Sequence, residues 1–201
     1  MLEITTKLVT APTTYPVTVN EVKAFARITE TADDSRLAAV FIPAATEYVE
    51  ASLKRQLITA TWRLTARRFP CGLGIIEFPN PPLISISSLN YVDSAGTTQL
   101  VAAADYQVDI DSEPGRVAPA SGESWPEADS ERFDAVIIQY LCGYGIESAV
   151  PAHIKLAIMV LCKHWYDRGS IDNAALSGAT RHSFDALIGK ERIEPPNYED
   201  W

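Results

Sequence analysis

The hydrophobic period of this chain changes twice, and those two changes constrain its fold more than any motif does. Apolar residues recur at three- and four-residue intervals near Thr18–Arg55 and again near Ser148–Arg168, the spacing of one helix face. Between them the spacing drops to two, and proline and glycine punctuate a run of short strand-like segments. The pattern predicts helices towards both ends and β structure between them, as one well-buried domain or as a helical domain carrying a β-rich insert. The boundaries read as an N-terminal arm at 1–17, helices at 18–56, the β-rich insert at 57–147, helices at 148–190 and a tail at 191–201, all within one domain. With 201 residues and 47% hydrophobic content, the chain can build a well-buried core.

Local signals place the elements. Thr18 and Glu21 have capping-box spacing, in which each side chain satisfies an orphan N–H near the other residue. Val22, Phe25, Ala26 and Ile28 are predicted to face inward from that helix, and Asp33 or Asp34 to cap the next. The second helix, Ser35–Arg55, buries Leu37, Val40, Phe41, Ala44, Tyr48, Val49 and Leu53, and Pro43 is expected to kink or divide it.

From Leu57 onward Trp62, Leu64 and Ala66 alternate with Arg63, Thr65 and Arg67. In Leu83–Val92 the alternation slips by one residue, which predicts a bulge near Ser87–Ser88. Asp93–Gly96 and Glu113–Gly115 are turns; 119–132, around Trp125-Pro126, is predicted to be a surface loop. Ala135–Leu141 is apolar on both faces, as an interior strand would be. Pro151 opens the third long helix, whose stripe is Ile154, Ala157, Ile158, Leu161 and Trp165, and Gly169 closes it. Phe184, Leu187 and Ile188 suggest one more short helix.

Chemistry is harder to find. Two histidine ligands on one helix face need four-residue spacing, and His153 and His164 are eleven apart, so packed histidines are the simpler interpretation. Asp105, Asp109 and Asp111 alternate, but beside a Pro-Gly turn they read as solvated turn residues. There is no G-x-S-x-G, no phosphate-binding glycine loop and no C-x-x-C. Catalytic, metal-binding and cofactor-binding residues are accordingly expected to be none. Cys71, Cys142 and Cys162 are expected to be buried free thiols of a reducing cytoplasm. Met1–Thr10 does not read as a signal peptide, and no apolar stretch approaches membrane-spanning length, so a soluble intracellular protein is expected.

The formal net charge is −9, from 17 basic and 26 acidic side chains. That argues against gripping phosphate backbones, though not against a wall that DNA slides past. Arg63, Arg67 and Arg68 form the one dense basic cluster, expected to face an acidic neighbour. The tail holds Pro195-Pro196, Tyr198 and Trp201, residue types suited to anchoring in a partner's groove.

Taken together, several motifs resemble the head–tail connector (adaptor) proteins of tailed phages, in the branch of the head-completion or DNA-packaging module. They are Val17-Thr18 … Glu21-Val22-Lys23 … Arg27-Ile28, Asp34 … Leu37, Phe78–Leu83, Ala104-Asp105-Tyr106, Glu113–Arg116, Ser124-Trp125-Pro126, Gly143–Gly145 and Pro151 … Ile154-Lys155 … His164-Trp165-Tyr166 … Arg168. Their order and spacing carry the resemblance over about residues 15–190.

The resemblance implies an α+β fold, a small mainly α-helical bundle with a β-rich insertion between the second and third long helices, and a structural virion protein that is not an enzyme. It implies a homo-oligomeric ring, usually twelve-fold, docked beneath the portal protein at the head–tail joint and assembled in the host cytoplasm. Such a ring extends the DNA channel without sequence-specific binding and without a membrane, and offers a platform to the next connector, stopper or tail protein. Portal contact is then expected from Arg192, Ile193, Pro195, Tyr198 and Trp201, and subunit contact from Arg63, Arg67, Arg68, Glu123 and Glu127. A stopper-like completion protein and, behind it, a packaging-module enzyme are the alternatives.

Overall fold

The computed structural model describes residues 4–71, 74–169 and 178–193. The fold is mixed α and β, with antiparallel sheets, and the chain divides into two compact units. Of the described residues, one unit comprises 12–58, 144–169 and 178–193 and is helical; the other comprises 4–11, 59–71 and 74–143, and its elements are strands.

In the helical unit, α1 (Val19–Ala26) opens with both halves of the Thr18–Glu21 capping box. Val22 is buried, but Phe25 is exposed, a correction to the inward face expected of it: in a helix this short only one line of side chains reaches the core. A short α2 (Asp34–Arg36) runs directly into a π turn, Leu37–Phe41, and then into α3 (Ile42–Leu53). Neither Asp33 nor Asp34 caps α2 with its side chain; Asp33 accepts from the Tyr166 hydroxyl at 2.9 Å and Asp34 pairs with Lys23 at 2.6 Å.

Pro43 falls in the first turn of α3, where a missing N–H costs least. The expected break therefore takes the form of a π bulge, in which the Ile42 N–H reaches back to the Leu37 carbonyl. The extra residue rotates the apolar stripe and leaves Val40 exposed, another departure from the periodic expectation.

Helix α4 (Ala152–Arg168) carries the buried Ile154, Ala157, Ile158, Leu161, Cys162 and Trp165, and ends at Gly169 with φ 69°. Helix α5 (Gly178–Ile188) adds Phe184 and Ile188 to the same core, with Leu37, Phe41, Val49 and Leu53 opposite.

In the β unit, β1 (Thr5–Thr10) makes part of the expected arm an edge strand, paired with β2 (Ala60–Ala66). The five-stranded sheet runs β1-β2-β8-β4-β5, with β8 (Val136–Cys142) inside, β4 (Leu83–Val92) next and β5 (Thr98–Leu100) at the far edge. Burial along β8 alternates rather than running continuously, so it has one inner face and one half-covered face, not the two buried faces its composition suggested. The β4–β8 register slips between Ile86 and Ser88, at the predicted bulge, and also between Leu83 and Ser85.

A second sheet, β3-β7-β6, consists of β3 (Ile76–Glu77), β7 (Arg116–Pro119) and β6 (Tyr106–Asp109). Its Ile76 and Val117 share one core with Leu64, Leu89, Ile138 and Tyr140 of the larger sheet. A Cβ at Gly115 would run into the Leu83 side chain, which is why the turn before β7 carries glycine.

Candidate assembly site

The sequence-predicted subunit-contact residues all lie in the β unit. Alternation along β2 turns Leu64 inward and Arg63 outward. Arg67 and Arg68 follow as the strand ends, where the chain meets segment 123–134. The Arg67 guanidinium donates from Nε and Nη2 to the Ser130 carbonyl at 3.3 and 3.0 Å, and lies 5.1 Å from the Phe133 ring centroid. Phe133 itself is 71% exposed, an unusual place for a phenyl ring.

Segment 119–132 is largely the surface loop that its polarity suggested, and it is pinned to the rest of the unit. Trp125 stacks on Phe69 with centroids 4.9 Å apart and planes 10° from parallel, and its indole N–H donates to the Gly74 carbonyl. Gly74 holds φ +67°, and a side chain there would press on the indole. The Asp129 N–H donates to the Val92 carbonyl, which pins the segment at a second point.

These contacts shape a groove of about 670 Å³ in the β unit. Phe69, Trp125, Pro119 and Pro126 supply its apolar lining, and Arg68, Glu123 and Glu127 line it as well. Three of the five predicted subunit-contact residues thus meet in one place, and Arg67 braces the segment that forms its side. Arg63 stands apart, on the outward face of β2, with Lys7 of β1 directly across from it. The floor continues to Asp109, which accepts from Ser112, Arg116 and the Asp111 N–H; the Ser112 hydroxyl and then Arg116 hold its carboxyl down at about 2.

The predicted portal-contact residues begin in the helical unit. Arg192 Nε donates to the Ser52 carbonyl at 3.0 Å and the Ile193 N–H to the Leu53 carbonyl at 3.1 Å, so both serve as caps for the orphan carbonyls at the end of α3. Pro195, Tyr198 and Trp201 lie outside the described residues.

Beside this cap is a polar cluster with no periodic signature in the sequence. Buried Arg55 donates from Nε to the Glu191 carbonyl at 2.7 Å and lies 3.6 Å from the Glu191 carboxylate, whose other oxygen is 3.4 Å from His153 Nε2. Glu50 accepts from Gln56 Nε2 at 2.8 Å and from the Leu57 N–H at 2.9 Å. Burial pushes the Glu50 carboxyl up to about 7, against the pull of the Leu57 bond.

The remaining candidates do not converge. His164 has its Nε2 buried with no partner among the described residues, and His182 is exposed on α5. Cys142 and Cys162 are buried, and burial raises the Cys162 thiol to about 12; Cys71 is exposed, against expectation, because it sits in the turn after β2 instead of in a strand. Among the described residues no group of three His, Cys, Asp or Glu side chains is placed to hold a metal ion, and no helix is long and apolar enough to cross a membrane.

Comparison with known proteins completes the picture. No curated protein sequence matches the chain. Three solved structures share its fold almost end to end. The neck of an empty GTA particle, computed with C6 symmetry, matches with TM-score 0.79 and 22% identity, over 98% of this chain and 100% of that one. The virion of the native gene transfer agent (GTA) particle matches with TM-score 0.76 and 23% identity, over 98% and 99%. The neck of the native GTA particle, computed with C12 symmetry, matches with TM-score 0.68 and 23% identity, over all of both chains. The profile of the family described as head completion protein (HCP) matches residues 17–185, continuously through both the helical and the β segments. By that match, the chain belongs to the head completion protein family.

Proposed function

We infer that this chain is a structural head–tail connector subunit of a phage-like particle. The observation that carries this is the family match across 17–185, which takes in both units. The family is structural, and the site is made of grooves, caps and surface charges, which suit docking better than bond-making.

The finer proposals follow from that role. The β unit acts as an insertion into a helical bundle, so that 1–201 works as one connector protein. Copies form a ring beneath the portal, twelve-fold when mounted there; the solved neck structures of similar fold, computed with C6 and C12 symmetry, favour a cyclic arrangement. Cyclic rings need two different complementary faces on each copy. A formal charge of −9 suits a channel wall past which DNA moves without sticking. Subunit contact falls to Arg63, Arg67, Arg68, Glu123 and Glu127, and portal contact to Arg192, Ile193, Pro195, Tyr198 and Trp201, with a further connector, stopper or tail protein on the ring's other side.

Deleting the gene from its parent element and imaging the particles tests the role. Filled or leaking heads separated from finished tails are expected. Normally tailed particles would remove the connector assignment. Removing 191–201 should abolish portal binding in a pull-down, and retained binding would refute the portal contact.

A further inference from the structure

Lys7 of β1 and Arg63 of β2 are direct cross-strand partners, so they stand side by side on one face of the five-stranded sheet. Like charges directly opposite one another are unfavourable in an antiparallel pair. The row continues through Gln139 of β8 to Ser88 of β4, and the flanking positions on β1 and β2 are Thr5, Val9, Thr61 and Thr65. No carboxylate occurs anywhere in this set. Both cations are exposed, and neither has a hydrogen bond or ion pair among the described residues.

The opposite surplus lies elsewhere in the same unit. Glu123, Glu127 and Glu131 are exposed, and their carboxylates have no ion pair among the described residues. Of the basic residues near this segment, Arg67 is taken by Ser130 and Phe133 and Arg132 by Asp134, while Arg68 lines the groove beside Glu123 and Glu127 and leaves the segment with more carboxylates than cations. Each surplus also has an exposed apolar residue close in sequence, Val9 two positions from Lys7 and Phe133 two positions from Glu131.

We propose that the Lys7–Arg63 pair of one copy receives the Glu123–Glu131 segment of the next, making these two surfaces the heterologous contact of the ring. This rests on the ring described above. It also separates the predicted contact residues by task. Arg63 reaches across to a neighbour with Lys7, while Arg67 braces the acidic segment within its own chain and Arg68 lines the groove beside it. Since the two surfaces differ, each copy offers one and fills the other, and rotation closes the set.

The test uses full-length chains, one isotopically heavy and one light, mixed on the portal, where the ring is proposed to form, and treated with a carbodiimide that joins an ammonium to a carboxylate only where they touch. Heavy–light peptides joining Lys7 to Glu123, Glu127 or Glu131 are expected. Heavy–light peptides that all avoid Lys7 would overturn this contact while leaving the ring intact. No heavy–light peptide at all would overturn the ring and the contact together.

Charge exchange supplies the second arm, read by sedimentation at low salt. The K7E/R63E chain carries two negative surfaces and the E123K/E127K/E131K chain two positive ones. Each alone should lose self-association by roughly tenfold or more, and mixing them should restore it by alternation around an even ring. Undiminished association of either variant alone would refute the contact. So would a K7E/R63E chain that keeps its association but loses affinity for duplex DNA, since the two cations would then serve phosphates.

Discussion

The two units solve the same problem with different materials. The helical unit buries some of its polar groups: Thr46, Arg55 and Gln56 are buried, and Glu50, Glu191 and His153 are tied to them or to the end of α3. The β unit buries an almost purely apolar core and turns its charges out, with Lys7, Arg63 and the 123–134 carboxylates at the surface beside exposed Phe133. Buried polar networks fix one arrangement, because leaving any member unpaired is costly. Outward charges contribute less to fixing the fold and more to selecting what can dock. In the proposed ring, the helical unit would hold residues 191–193 firmly against the end of α3, and the β unit would carry recognition between copies.

The largest effect that would test this contrast lies in the helical core. Trp165 is almost fully buried and meets Tyr48 edge-on, with ring centroids 6.5 Å apart. Trp165→Ala should cost about 3–5 kcal/mol in denaturant unfolding. A loss under 1 kcal/mol would mean that the helices do not depend on this packing, and the rigid half of the contrast would fail.

Next comes the buried carboxylate. Glu50 has its folded pKa raised to about 7 from the ordinary 4.5, so the protonated form is the one the fold favours. Its contribution is fully present below about 4.5 and is lost as pH rises through about 7. Glu50→Gln keeps an acceptor for the Leu57 N–H and cannot ionise. The variant should therefore be more stable than the parent at pH 8 by on the order of 2 kcal/mol, with a flatter stability profile between pH 5 and 8. An unchanged profile would show that Glu50 is not desolvated.

In the β unit the matching probe is Trp125. Trp125→Ala removes the Phe69 stack and the indole bond to Gly74, and should cost about 2 kcal/mol. Its sharper readout is the association of copies, which should fall as the 123–134 segment loosens. Full association with a lowered melting temperature would mean that the shape of the segment is irrelevant to docking.

What was legible in the sequence was local or periodic. The capping box, the bulge near Ser87–Ser88, the Asp93–Gly96 turn and the α4 stripe each depend on residues within one or two turns of chain. What was illegible required distant partners. Trp125 does lie in a loop, but its stack on Phe69 and its bond to Gly74 join it to positions some fifty residues away. Strand β7 is only Arg116–Pro119, too short for alternation to register, and exists because β3 and β6 flank it. Val40 and Phe25 obeyed the helical period yet lie exposed, since period alone knows neither the π turn nor where a short helix meets its core. At the assembly site, composition found the arginines and glutamates, but the cross-strand register alone showed which two cations stand together.

The smallest effect joins a legible feature to an illegible one. Thr18→Ala removes half of the capping box and should cost about 1 kcal/mol in thermal or denaturant unfolding. Glu21, the other half, also accepts from Lys155 Nζ at 2.7 Å, a contact 134 positions distant that ties α1 to α4. Burial alone would raise the Glu21 carboxyl, but the bonds from Lys155 and Thr18 together bring it below its ordinary value. Both partners therefore hold the same carboxylate in the same place. Lys155→Ala alone should cost no more than about 0.5–1 kcal/mol, because Glu21 is partly exposed and water screens the pair. The double variant should lose less than the sum of the two, by about 0.5 kcal/mol, since either change already frees Glu21 from its fixed position. Strict additivity would mean that the cap and the bridge act independently, and that the helical unit is less of a single polar network than its geometry indicates.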